Sequence, residues 1–202
     1  MYVPEAFRVT DRGPVLDLIE ACPFGPLVSL DAQDLQISHI PFALERSDTG
    51  WGVLEGHVAR ANPHWQHFDG AHECVAIFQG PHAYVSPTWY EQGPAVPTWN
   101  YVVAHVYGRP ARVDDTERTA GILDRLVERH EPGGGPLDVP DDFRAGMQRG
   151  IVAFSFEIER VEAKFKLGQN RSAPDREATA RALEREGSPE LARWTRRIAT
   201  DR

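Results

Sequence analysis

No apolar run in this chain approaches the roughly 20 residues that a membrane helix requires. Its opening, MYVPEAFRVTDRG, lacks the basic-then-apolar order of a secretory signal. A cytoplasmic protein without a membrane partner is therefore expected. Cysteine is scarce as well: Cys22 and Cys74 are the two thiols, and reduced, partly buried side chains are expected rather than a disulfide. No GxGxxG follows a strand signal and no GxxxxGK is present, so the common nucleotide-phosphate loops are excluded. The GxSxG elbow of serine hydrolases, HExxH and paired CxxC are missing too. No internal repeat or low-complexity segment is visible.

What is present suits one globular domain with helical additions. The chain has 202 residues, 41% apolar and 26% charged, enough to bury a core without disulfides or a structural metal. The formal charge of −8 repels a phosphate backbone at long range, which argues against generic nucleic-acid binding. From Arg171 onward eight arginines face six acidic residues, a contrast read as a solvated helix pair rather than a DNA-binding arm.

Periodicity sets out the elements. TDRGPVLDLIEACP places Val15, Leu18, Ile19 and Cys22 on one helical face, with Pro23 as the stop. Strand signals follow at 26–31, 35–44, 51–59, 73–80, 83–86 and 98–113, with Ser47 to Gly50 as a hairpin connection. Residues 115–130 form an amphipathic helix capped by Asp114 or Asp115, 131–140 a flexible loop, and FRAGMQRG a short helix. IVAFSFEIERVEAKF alternates as one more strand, and two helices follow at about 173–186 and 188–199. Six or seven closely spaced strands predict an antiparallel barrel or sandwich decorated by helices.

GHVARANPHW, residues 56–65, combines a strand end with a helix start. Asn62 suits an N-cap and Pro63 the first helical position, which would turn the next amides outward near Arg60. Such a place suits a phosphate. The same residues are also consistent with a helix start that binds nothing, Arg60 pairing with one of the thirty acidic side chains. Tyr84, Trp89, Tyr90, Trp99 and Tyr101 could wall a flat ring or serve as core and interface residues. KFKLGQN ends the last strand with Lys164, Lys166, Gln169 and Asn170. His64 and His67, with His57, His72 and Cys74 nearby, invite a zinc site, yet no acidic third ligand stands where one is needed, and no metal is expected. Cys74 reads as inert packing rather than a nucleophile.

Taken in order, MYVPEAF, ISHIPF, GHVARANPHW, AIFQGPHAYVSPTWY, VPTWNYVVAHVYG and KFKLGQN resemble the PaiB family of FMN-binding negative transcriptional regulators, over nearly the whole chain to about residue 185. The resemblance implies a mainly β fold with peripheral helices (α+β): the FMN-binding split barrel, pyridoxamine-phosphate-oxidase-like, over 1–170, with 171–202 as a helical extension of the same domain. It implies a homodimer with flavin sites at the interface. Carried over by position, it implies FMN contacts from His39, Pro41, His57, Arg60, Asn62, Thr98, Trp99, Asn100, Lys166, Gln169 and Asn170, with Arg60 and Asn62 at the phosphate and KFKLGQN reaching toward the partner's site. No catalytic acid or base is assigned, although His57 and Tyr84 stand out. No helix-turn-helix signature accompanies the regulator label, so direct DNA binding is doubtful. An FMN-dependent oxidoreductase acting on a small molecule remains the alternative, and a haem-binding or haem-degrading barrel a minor one.

Overall fold

The computed structural model describes residues 1–30, 34–91, 93–131 and 139–200. Most of the loop expected at 131–140 lies outside the described residues. In chain order the elements are β1 (Arg8–Val9), α1 (Arg12–Ala21), β2 (Phe24–Leu30), β3 (Leu35–Pro41), β4 (Ala43–Glu45), β5 (Val53–Ala59), β6 (Cys74–Val85), β7 (Thr98–Gly108), β8 (Ala111–Val113), α2 (Thr116–His130), α3 (Asp141–Arg149), β9 (Ile151–Glu157), β10 (Arg160–Lys166), α4 (Ala173–Arg185) and α5 (Pro189–Thr200). Short 3-10 helices stand at Glu5–Phe7, Pro63–His67 and Pro87–Trp89. The class is mainly β with several helices, as the strand count predicts.

The chain forms two compact units. The first holds Met1–Leu18, Gln79–Ala104 and Glu162–Arg202. Its strands run in the order β1-β10-β7-β6, and α4 and α5 form a helical hairpin within it. Trp194 of α5 meets the buried Phe165 of β10 edge to face, ring centres 5.3 Å apart. Ser172 caps α4 by accepting from the Asp175 amide, and Arg196 of α5 bridges Glu177 and Glu184 of α4. The helices α4 and α5 thus pack within the first unit.

The second unit holds Ile19–Phe78 and His105–Val161. Its strands form β6-β2-β3 and a four-stranded sheet ordered β4-β5-β9-β8. Inward-pointing aromatics fill its core: Phe42 packs on Phe78 at 5.3 Å and on Phe154 at 6.2 Å, and Phe68 lies 4.7 Å from Phe154. Truncating a fully buried Phe to Ala costs about 3–5 kcal/mol. The amphipathic α2, capped by Asp115 on the Arg118 amide, buries Ile122 and Leu126 against Ala43 and Ala153.

Four strand boundaries depart from the periodicity. The run 35–44 divides at Phe42, whose amide donates to Pro23 O, and β4 then pairs with β5. The run 98–113 divides before β8 because Pro110 has no N–H for a ladder, and β8 pairs with β9. The run 151–165 divides at Ile158 and Glu159, whose amides turn to Gly52 O and Tyr107 O. The two strands expected at 73–80 and 83–86 are one, β6. Gly80 carries it past Leu18 and Val102, and a Cβ there would lie 2.7 Å from Leu18 Cδ1.

Candidate functional site

ISHIPF and GHVARANPHW, separated by thirteen intervening residues in sequence, are laced together in the second unit. Asn62 Nδ2 donates to Ser38 Oγ at 2.9 Å. At the other end of the lace, Gly56 lies so close to β3 that a Cβ would be 3.1 Å from Pro41 O and 3.0 Å from the Phe154 ring. The glycine that opens the motif therefore permits the close approach of β5 to β3. His39, Pro41, His57 and Asn62 are carried by these two neighbouring segments.

Alternation along β3 decides which side chains face outward. Ser38 and Ile40 are buried, whereas Leu35, Ile37 and His39 are exposed and Pro41 is half-buried. On the paired strand β2, Phe24 and Leu30 are exposed and Pro26 and Val28 half-buried on the matching face. Phe24, Leu30, Leu35 and Ile37 are 63, 67, 54 and 53% exposed, so this sheet face is an apolar surface in an isolated chain. His39 stacks on Phe24 at 6.4 Å within it.

The inward side holds a polar chain that neither spacing nor motif announced. His64 Nδ1 lies 2.9 Å from Ser38 Oγ, its Nε2 2.9 Å from Ser29 Oγ, and Ser29 Oγ 2.6 Å from His67 Nδ1. Ser29, Ser38, His64 and His67 are all buried. Since Asn62 donates to Ser38, the ordering that uses every proton runs from Ser38 O–H to His64 Nδ1, from His64 Nε2–H to Ser29, and from Ser29 O–H to His67 Nδ1. That ordering requires a neutral His64, and burial, reinforced by His67, lowers its pKa from 6.5 to about 4. His67 stacks on His72 at 5.0 Å, and His72 meets the Asp69 carboxylate. No group of three or more metal-ligating side chains forms among the described residues.

Asn62 caps the 3-10 helix Pro63–His67 as its place before Pro63 demands. The cap, however, accepts the His64 amide itself at 3.0 Å, and the helix is only five residues long. The amides expected to face a phosphate are thus not presented as an anion site. Arg60 donates from Nε to Arg149 O at 2.8 Å and from Nη2 to Ile151 O at 2.7 Å, which fastens the end of β5 to the end of α3 and the start of β9. His57 is half-buried, its Nδ1 is buried without a hydrogen-bond partner among the described residues, and burial lowers its pKa. Cys74 is buried with its pKa pushed up to about 12, mainly by burial, so its thiol is inert packing.

The other sequence-derived candidates lie in the first unit. Lys166 Nζ donates to Thr98 Oγ1 and to Trp99 O, joining β10 to the start of β7. Burial, with Lys164 next, lowers its pKa. Trp99 is 54% exposed, with Tyr84 and His82 each 6.3 Å from its ring. Asn100 is buried, and Gln169 is turned inward, accepting from Leu167 N and donating to Phe165 O. Asn170 is exposed.

These groups fit a flavin mononucleotide. In the second unit an orphaned imidazole nitrogen offers a hydrogen bond, an apolar sheet face offers a bed for a ring, and Arg60 supplies a cationic donor. FMN, when bound, brings its own redox chemistry, and the protein contributes binding and orientation.

Comparison with known proteins gives a consistent result. The family model described as "Putative FMN-binding domain" matches residues 1–160. The chain is 29% identical over 192 residues to the protease synthase and sporulation protein PAI 2 of Bacillus subtilis, covering 94% of this chain and 92% of that one. Among solved structures it resembles the flavocytochrome Anf3 from Azotobacter vinelandii, with a TM-score of 0.64 at 14% identity, covering 83% of this chain and 73% of that one. It also resembles an FAD and heme binding protein from Mycobacterium smegmatis, with a TM-score of 0.59 at 13% identity, covering 84% and 78%. At such identities the structural likeness establishes the fold. The chain belongs to this FMN-binding domain family, is of the PaiB type, and has FMN as its cofactor.

Proposed function

We propose that the chain is a cytoplasmic PaiB-type regulator that works as a homodimer and binds FMN where ISHIPF meets GHVARANPHW. One observation carries this reading: the outward face of β2 and β3 leaves four large apolar side chains more than half exposed, with His39 and Pro41 among them. Exposed apolar patches of this kind mark interaction surfaces. A second copy of the chain is the occupant that the family resemblance supports. The flavin ring would lie against His39 and Pro41, with His57 Nδ1 as its polar neighbour. Asn62 and Arg60 would serve the phosphate, Arg60 through the guanidinium nitrogen not spent on main-chain carbonyls. Thr98, Trp99, Asn100, Lys166, Gln169 and Asn170 stay candidates for contact from the family pattern alone.

The name of the Bacillus subtilis relative, a protease synthase and sporulation protein, supports a regulatory role. The net charge of −8 supports regulation without direct DNA reading. The test couples two assays on the FMN-loaded protein: retention of duplex DNA at physiological salt, and reduction of the flavin by NADH or NADPH. The proposal expects neither DNA retention nor sustained turnover. Rapid turnover would replace the regulator with an oxidoreductase, and a Soret band on haem titration in place of flavin uptake would point to a haem protein.

A further inference from the structure

Arg60 just past the end of β5, Arg112 of β8 and Arg149 at the end of α3 line one cavity of about 350 Å³ in the second unit. Thr116 and Thr119 of α2 and Gln148 add polar groups to it, and Asp114 is its lining carboxylate. An adjoining cavity of about 420 Å³ shares Arg112 and Asp114 with the first and is walled by Trp65 and Phe68. The Arg112 guanidinium stands 5.7 Å from the centre of the Trp65 ring and 3.3 Å from the Asp114 carboxylate. Trp65 is itself fixed by its Nε1–H, which donates to Arg60 O at 3.0 Å.

Three guanidinia against one carboxylate make the first cavity a place for an anion, and the planar fork of arginine matches phosphate oxygens two at a time. An indole beside it gives the second cavity a surface on which a heteroaromatic ring can stack. Asp114, at the seam, can accept from a sugar hydroxyl. We infer that this double cleft binds the phosphate ester of a nucleotide, with the guanidinia on the phosphate, Asp114 at the sugar and Trp65 beside the ring. Two sources supply that chemistry: the flavin nucleotide itself, whose ring would then lie beside Trp65 instead of on the β3 face, or a separate nucleotide held while FMN is elsewhere. Only the first source rests on the FMN reading.

Isothermal titration calorimetry on the purified full chain tests this with three probes: inorganic pyrophosphate, ADP and FMN. Arg149→Ala and Arg112→Ala are expected to weaken phosphate-dependent binding by about tenfold to a hundredfold, the scale of a lost charge-assisted hydrogen bond. Trp65→Leu is expected to weaken ADP or FMN while sparing pyrophosphate. Arg149→Lys, with its charge retained, should recover part of the loss, and an unchanged melting temperature shows that the variants fold. If FMN displaces ADP and Trp65→Leu weakens FMN, the flavin nucleotide is the occupant; if both bind together, a second nucleotide is. Failure of both arginine variants to change the affinity for any probe overturns the inference. So does a wild-type chain that takes up none of the three. A chain that binds ADP but not FMN overturns the FMN reading and leaves the cleft intact.

Discussion

The side chain of Asn62 serves Ser38 and its own helix at once: Nδ2 donates to Ser38 Oγ at 2.9 Å while Oδ1 accepts the His64 amide at 3.0 Å. One residue thereby fixes the helix start and the strand that carries His39 and Pro41. Asn62→Ala removes both bonds and is expected to cost about 1–3 kcal/mol by urea denaturation. Asn62→Asp keeps the cap acceptor and loses the donor, so it should fall between the two. Equal stability of all three proteins would show that the lace carries no weight.

The buried Ser–His chain makes stability depend on pH with a definite sign. His64 has a folded-state pKa near 4 against 6.5 when unfolded, so the unfolded chain binds the extra proton between these values. The contribution is complete above 6.5 and is lost as pH falls toward 4, by at most about 3 kcal/mol. His57, shifted the same way, adds in the same direction. His64→Gln should flatten much of this slope in denaturation curves taken across that interval. A slope unchanged in the variant would assign the effect elsewhere.

Ser29→Ala leaves two buried imidazole nitrogens without their shared partner. An expected loss of about 1–3 kcal/mol follows from unsatisfied buried polar groups. Thermal melting of the variant checks it, and a wild-type melting temperature would contradict it.

Ile37 lies on β3 opposite Val28, which in turn lies opposite Val75 of β6, so the three form one row across the apolar face. At 53% exposure, Ile37→Asp costs an isolated chain little, but a charge buried against a second copy would be unpaired. Sedimentation is expected to show a dimer for the wild type and a monomer for the variant. A wild-type monomer, or a variant that stays dimeric, would move the interface off this face.

The sequence patterns reached particular parts of this structure and stopped for physical reasons. The amphipathic α2 and the Asn62 cap were legible because both depend on residues within a few positions of each other. The corners at Phe42 and Ile158 were not, since the amides that turn there find distant acceptors on Pro23 and Gly52. Ser38 could be placed on the inward face of β3 by alternation, but its link to His64 required the chain to return from 38 to 64. Arg112 and Arg149 fell outside every motif, because three strand and helix ends converge on their cavity from far apart in sequence. The direction of the Arg60 guanidinium, toward two main-chain carbonyls rather than open solvent, is likewise set by packing that no local pattern records.

The central claim, that this chain holds FMN where β3 meets β5, is tested most directly by equilibrium dialysis of the wild type and of His57→Leu against FMN, with bound flavin read by absorbance. The wild type is predicted to retain about one FMN per chain, and the variant, deprived of the buried imidazole nitrogen, to bind about tenfold more weakly. A wild-type protein that emerges colourless at FMN concentrations well above the micromolar range contradicts the account.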